Sequence, residues 1–308
     1  MEFPPLEASV QFMKHGIKLV NDFIATSHVS LARHPYLYHY RQDKAVVESI
    51  VTNGKFWATH AAHMSDETEL EYGAMMVKSI LDEFVSLNKE MSWDVSEFIE
   101  MAWLHANPYN NEFTGKVDPY FVCFSERGDI ESQWEEYAAE STGYCIEFTV
   151  AEPYTNPCSE NSYDLARSNI LFLKVIYDVD EQRRLVINAL QDFVRMLHSH
   201  LEKYGFGAMG SGMHASIALY HVLCYYVMSF KDPKFIKEQE WRCVYGMSNM
   251  KVRNLEVKYR GEKVPYVEMP LVSLTGPLVV KNIVQGVACT QGEICKDYVV
   301  SKVVDGKT

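Results

Sequence analysis

Hydrophobic positions in residues 8–26 fall at Val10, Met13, Ile17, Val20 and Ile24. That spacing predicts an amphipathic helix. It reads as an N-terminal helical extension over residues 1–30, outside the pattern of the later core. The period then changes, and Tyr36–Arg41 (YLYHYR) reads as a strand from its aromatic content. Residues 43–53 return to helical spacing, with Val46, Val47, Ile50 and Val51 inward. Gly54 stops that helix at a position where a left-handed conformation suits glycine. Lys55–His60 (KFWATH) is a second strand. A helix starts near Asp66, with Glu69 at capping-box spacing, and Leu70, Ala74, Val77, Leu81 and Phe84 form its buried stripe.

Further on, residues 94–105 predict a short helix, Tyr120–Ser125 a strand and Ser132–Ala139 another short helix. Gly143–Val150 and Ile170–Tyr177 predict strands. Val186, Leu190, Phe193, Leu197 and Leu201 mark a long amphipathic helix over 181–204. His214–Phe230 is a helix apolar on all sides. Strands at Trp241–Tyr245, Tyr266–Glu268 and Leu278–Gln285 and a last helix over 293–303 complete the pattern. Strands do not alternate regularly with helices, so a doubly wound parallel sheet is not expected. The order predicts an α+β fold: a twisted, mixed, largely antiparallel sheet flanked by helices. No proline- or serine-rich linker divides the chain, so residues 1–308 read as a single domain, with a core over 36–300 and a helical insertion at about 181–229.

The 308 residues are 47% hydrophobic and 23% charged, which excludes a disordered chain, a collagen and a coiled coil. The net charge of −12 is uneven: residues 66–160 hold 4 bases against 21 acids, and residues 161–308 hold 19 bases against 15 acids. A middle so acidic argues against broad nucleic-acid binding and reads as solvated helix faces. The more basic second half leaves room for a local anion site. Seven cysteines, an odd number without a CxxC pair, sit partly in apolar runs such as FVCFS and WRCVY. That is the usage of buried thiols in a reducing compartment, so a cytoplasmic location is expected. The first residues, MEFPPLEASV, lack the basic start and apolar core of a signal peptide. His214–Phe230 is too short for a comfortable membrane span and holds His214 and His221, so no membrane association is expected.

Common signatures for dinucleotides, nucleotide phosphates, zinc peptidases and hydrolase elbows are missing from the chain. His60, His63 and Asp66 have the residue types of a metal site, but they precede the helix that would align them, and no metal is expected. Three strands offer more. Alternation along Tyr38–Arg41 sends His39 and Arg41 to one face and the two tyrosines to the other. Ser125 ends its strand with Cys123 on its side, and Glu238 and Glu240 share a face if EQEWR is extended. Each strand then has an apolar face for a core and a polar face for a cleft. The same glutamates also suit a structural ion pair with Arg242. Trp134 and Tyr137, three apart, suit a core anchor for their short helix.

The ordered set of LYHYR (37–41), VVESIVTNGKFWAT (46–59), MSDETELEYG (64–73), CFSE (123–126), QWEEYA (133–138), GYCIEF (143–148), EQEWR (238–242) and IVQGVA (283–288) resembles a bacterial family named domain of unknown function 2971. In QWEEYA, Glu136 departs from the tryptophan, histidine and tyrosine pattern more frequent in that family. The family name carries no activity. More weakly, the chain resembles the ADP-ribosyltransferases, whose split sheet carries a first-strand His or Arg, a middle-strand Ser or Tyr and a late glutamate. That resemblance implies His39, Arg41, Tyr40, Thr59 and Glu126 as nucleotide-binding residues and Ser125, Glu238 and Glu240 as catalytic ones. NAD would be the substrate, with a cation or imidazole on its pyrophosphate and a carboxylate facing the charge that grows as nicotinamide leaves.

Three functions follow as expectations. The first is an ADP-ribosyltransferase-like or NAD-cleaving enzyme. The second is a non-catalytic effector or sensor domain that binds a nucleotide or a protein, its target or regulatory partner unnamed. The third is a carboxylate-based hydrolase using Glu126, Glu238 and Glu240.

Overall fold

The computed structural model describes residues 6–64, 70–88, 93–108, 119–150, 170–204, 209–245, 256–261, 263–270, 278–292 and 300–302. In chain order these form α1 (Leu6–Arg33), β1 (Tyr36–Arg41), α2 (Lys44–Asn53), β2 (Lys55–His60), α3 (Glu71–Leu87), α4 (Trp93–Ala106), β3 (Tyr120–Ser125) and α5 (Glu131–Tyr137). They continue with β4 (Tyr144–Val150), β5 (Ile170–Lys174), α6 (Val179–Tyr204), α7 (Met209–Ser229), β6 (Glu240–Tyr245), β7 (Lys258–Arg260), β8 (Val264–Pro270), β9 (Leu278–Gln285) and β10 (Val300–Lys302). Tighter helix lies at Ala61–His63, as one turn, and at Pro233–Glu238, as two. The α+β architecture is the expected one. Among the described residues ten strands form one open sheet, in which only β10 runs parallel to its neighbour, β9.

Local chemistry sets several boundaries. The Asp43 carboxylate accepts from the Ala45 N–H at 2.8 Å and caps α2, as its residue type favours. Gly54, with φ at 67°, ends α2 in the left-handed region and sends its N–H to Ile50 O. Asp66 and Glu69 lie outside the described residues. So do residues 293–299 of the expected last helix, whose remaining described part, Val300–Lys302, is a strand. Pairing with β9 overrides the helical spacing there. β5 also ends early, at Lys174; Ile176 makes an isolated parallel bridge to Phe230 instead.

The sheet has a different core on each face. On one face α2 contributes Val47, Ile50 and Val51 to a cluster with Phe56, Phe124, Phe148, Phe172 and Trp241. On the other, α1, α3, α4, α6 and α7 pack over Phe121, Leu171, Leu173 and Val244. α6 buries Val186, Leu190, Phe193 and Leu197 on one stripe, whereas α7 is buried nearly all round from Leu219 to Met228. α1 is not an appendage, because Val20, Phe23 and Ile24 belong to the helical core and Leu31 is fully buried. None of the described acid side chains between Glu71 and Glu147 is buried, as expected of solvated faces.

One feature of the topology creates the cleft. β6 pairs along the whole of β3, from Tyr120 to Ser125. The opposite edge of β3 is divided: β2 pairs only at Thr59–Phe121 and His60–Tyr120, and β1 only at Tyr38–Ser125. Between those contacts β1 and β2 splay, and Val122–Phe124 has no described strand on that side. The sheet is split.

Helix α3 reaches α7 through a glycine. A Cβ on Gly73 would sit 2.1 Å from the Val227 carbonyl oxygen, so the two backbones are in contact there. We predict that Gly73→Ala destabilises the protein by about 1–3 kcal/mol through overpacking. Urea unfolding of the variant beside wild type checks this.

Candidate functional site

The gap between β1 and β2 is bridged by His39. Its ring meets Phe56 edge-on at 5.1 Å and tilts against Phe124 at 5.4 Å. Its Nδ1 lies 2.8 Å from the Cys123 carbonyl oxygen, and Arg41 Nε lies 2.8 Å from its Nε2. A guanidinium only donates, so Nε2 accepts and the proton sits on Nδ1, which donates to the carbonyl. His39 is therefore a neutral imidazole. Burial, with the Arg41 charge adding to it, lowers its pKa to about 3.

Around this bridge lie two adjoining cavities of about 300 and 610 Å3. Both are lined by Arg41, Trp57, Glu136, Tyr137 and Arg260. The smaller also touches His39, Ser125, Gln133, Lys231, Glu238 and Glu240; the larger runs over the start of α2. Arg41 has no carboxylate partner among the described residues. Burial first, and then the nearby charge of Arg260, lower its pKa from the usual guanidinium range. Two like charges thus converge at the junction of the cavities, where an anion would relieve both. Trp57, 39% exposed, adds an aromatic surface tilted against Tyr266.

The far wall is a buried ion network. Arg242 Nε donates to Glu240 Oε1 at 2.9 Å, and Nη2 to Oε2 at 3.3 Å. Lys231 Nζ reaches Glu240 Oε2 at 2.8 Å and Glu238 Oε2 at 2.6 Å. Arg242 Nη1 also donates to the Met228 carbonyl, which ties the network to the end of α7. Burial opposes ionisation of Glu240, but the charges of Arg242 and Lys231 outweigh it and hold the carboxyl below its usual range. Ser125 is equally committed: its hydroxyl donates to Glu238 O at 2.9 Å and accepts from the Arg127 N–H at 3.3 Å.

The cavity thus brings together His39, Tyr40, Arg41, Thr59, Ser125, Glu238 and Glu240. Their arrangement differs from expectation in three ways. First, the polar residues do not share one face. Tyr38, Ser125 and Glu240 are direct cross-strand partners on the side of the long helices, whereas alternation puts His39 and Arg41 on the α2 side. Arg41 enters the cavity because the sheet is open beside it. Second, Glu126 is not on the cavity wall; its carboxylate pairs with Lys174 at 2.8 Å. Third, Tyr40 serves as a brace. Its hydroxyl donates to Arg127 O and accepts from the Ile130 N–H, and its ring meets Trp134 at 5.2 Å. Trp134 is the anchor expected of it, and its Nε1 donates to Asp129.

Lys231, Arg260 and Gln133 were not legible as site residues. Lys231 follows the buried helix with no motif around it, and Arg260 arrives through the pairing of β7 with β8. His63 lines the smaller cavity, and His60 Nδ1 accepts from the Ala62 N–H at 3.2 Å. Asp66 lies outside the described residues, and among the described residues no three acids, histidines or cysteines are grouped for a metal. Of the described cysteines, Cys145, Cys224 and Cys243 are buried free thiols, while Cys123 and Cys289 are partly exposed. No described helix is long and apolar enough to cross a membrane.

Fold and site together define an α+β protein with a polar cleft opened by a split, largely antiparallel sheet. A family model described as protein of unknown function (DUF2971) matches residues 133–243, so the stretch from Gln133 on α5 to Cys243 on β6 is similar to that family. The matched stretch includes Lys231, Glu238, Glu240 and Arg242. No curated protein and no solved structure matches the chain.

The folded protein keeps His39 neutral down to about pH 3, while the unfolded chain takes up a proton near 6.5. Its contribution to stability is complete above pH 6.5 and is lost as the pH falls from there toward 3. Between pH 7 and 5 this group alone is expected to remove about 2 kcal/mol. Urea unfolding at the two pH values should show a smaller drop for His39→Gln than for wild type.

Proposed function

We propose that the cleft takes an NAD-type dinucleotide and that the protein is an ADP-ribosyltransferase-like or NAD-cleaving enzyme. The observation that supports this reading most is the Arg41–Arg260 pair, without carboxylate partners among the described residues, at the junction of two chambers. A pyrophosphate flanked by two nucleosides has that shape and charge. Trp57 offers a stacking surface beside it. In this reading the bond from the ribose carbon to the nicotinamide nitrogen breaks, and its electrons leave with nicotinamide. A buried carboxylate stabilises the oxocarbenium-like ribose, and water or an acceptor group adds to the carbon and gives up its proton.

Glu238 is the better placed carboxylate for that role. Its side chain is 11% exposed against 6% for Glu240. A second reading, a non-catalytic nucleotide-binding module, rests on how fully Glu240 and Ser125 are engaged in structural bonds. A hydrolase built on three glutamates has less support, because Glu126 stands apart with Lys174.

Incubation of the purified chain with NAD, followed by quantification of free nicotinamide, separates the first two readings. Release supports the enzyme; binding without release supports the module. Arg41→Ala should weaken NAD binding by about 10–100-fold, the loss of one charge-assisted contact. Glu238→Gln should keep binding and lower nicotinamide release by about 10²–10³-fold.

A further inference from the structure

Gln133 is 6% exposed and lines the smaller cavity, yet its carboxamide has no hydrogen-bond partner among the described residues. The other buried polar groups on that wall are engaged: His39 with Cys123 and Arg41, Ser125 with Glu238, and the glutamates with Lys231. The backbone that carries it is held in place. The Gln133 N–H donates to Ile130 O at 3.0 Å, and the adjacent Trp134 is locked against Tyr40 and Asp129. Tyr137, four residues on and so on the same helical face, lines the cavity beside it. The amide is not among the fully buried polar atoms, so it opens to the cavity, where a complementary ligand would take the place of water.

From this geometry we propose that Gln133 is the specificity-determining residue of the cleft and reads the primary carboxamide of a nicotinamide ring. The inference rests on the NAD reading above. A glutamine presents a donor and an acceptor side by side, and a second primary amide is its direct complement. The carboxylates that would face the breaking glycosidic bond, Glu238 and Glu240, line the same chamber as Gln133. The nicotinamide end of a dinucleotide therefore belongs in this chamber, and the adenosine end in the larger one beside α2. The amide also discriminates: a ligand with a carboxylate in place of the carboxamide would set an acceptor-only group against the Gln133 carbonyl.

Isothermal titration of the full chain tests this with three probes: NAD, the dinucleotide with nicotinic acid in place of nicotinamide, and ADP-ribose, which lacks the ring. Wild type should prefer NAD over the acid analogue by about 10–100-fold, the discrimination typical of one bidentate amide pair. Gln133→Ala and the near-isosteric Gln133→Met should lose that preference while binding ADP-ribose as wild type does. If both variants keep the preference, Gln133 does not read the amide, although the NAD reading stands. If they lose ADP-ribose as strongly as NAD, the residue only supports the cleft and the proposal falls. If wild type binds neither NAD nor ADP-ribose, the NAD reading itself fails and takes this inference with it.

Discussion

One edge of β3 cannot be given in full to two strands. β6 occupies one side from end to end, and β1 and β2 share the other, each holding a terminal portion. The backbone between them still needs partners, because buried peptide groups left unpaired are costly. His39 meets part of that need by donating to the Cys123 carbonyl. The same ring fills the floor of the gap against Phe56 and Phe124 and accepts from Arg41. One imidazole thus closes the sheet to the core, holds the split open above it and aims a guanidinium into the space. The opening of the cleft follows from strand pairing.

The opposite wall depends on a second constraint. Glu240 is placed on the face of β6 that the long helices cover, where a lone carboxylate would be strongly disfavoured. Arg242, two residues along the same strand, and Lys231, just past the end of α7, supply the compensating charge. Removing either cation leaves a buried anion short of a partner, which is far more damaging than replacing the whole network by apolar groups. The geometry this enforces is a rigid one: the end of α7, the Pro233–Glu238 turn and β6 are bound together at the cavity. Ser125 extends the clamp to β3 through the Glu238 carbonyl.

Much of the site was legible as residue types. His39, Arg41, Thr59, Ser125, Glu238 and Glu240 all line the cavity, and the ion pair between Glu240 and Arg242 follows from their spacing on a strand. Their facing was not legible, since alternation within one strand says nothing about the register of the next. Glu126 shows the limit from the other side. It follows Ser125 directly, yet one residue past the strand end its carboxylate turns to Lys174. Gln133 carried no signal of a site role, because an amide in a short helix is ordinary until the cavity around it is known.

The sequence by itself determined most of the elements, their order and their buried stripes, because the periods of 2 and 3.6 are local properties of the chain. It also determined the absence of a regular βαβ pattern and the acidic, solvated helix faces of the middle third. Tertiary structure alone decided that α1 and α7 share a core, that Lys231 and Arg260 reach the site and that the last described residues pair with β9. These are contacts between residues far apart in the chain. They are settled by strand register and helix packing, which no local pattern encodes.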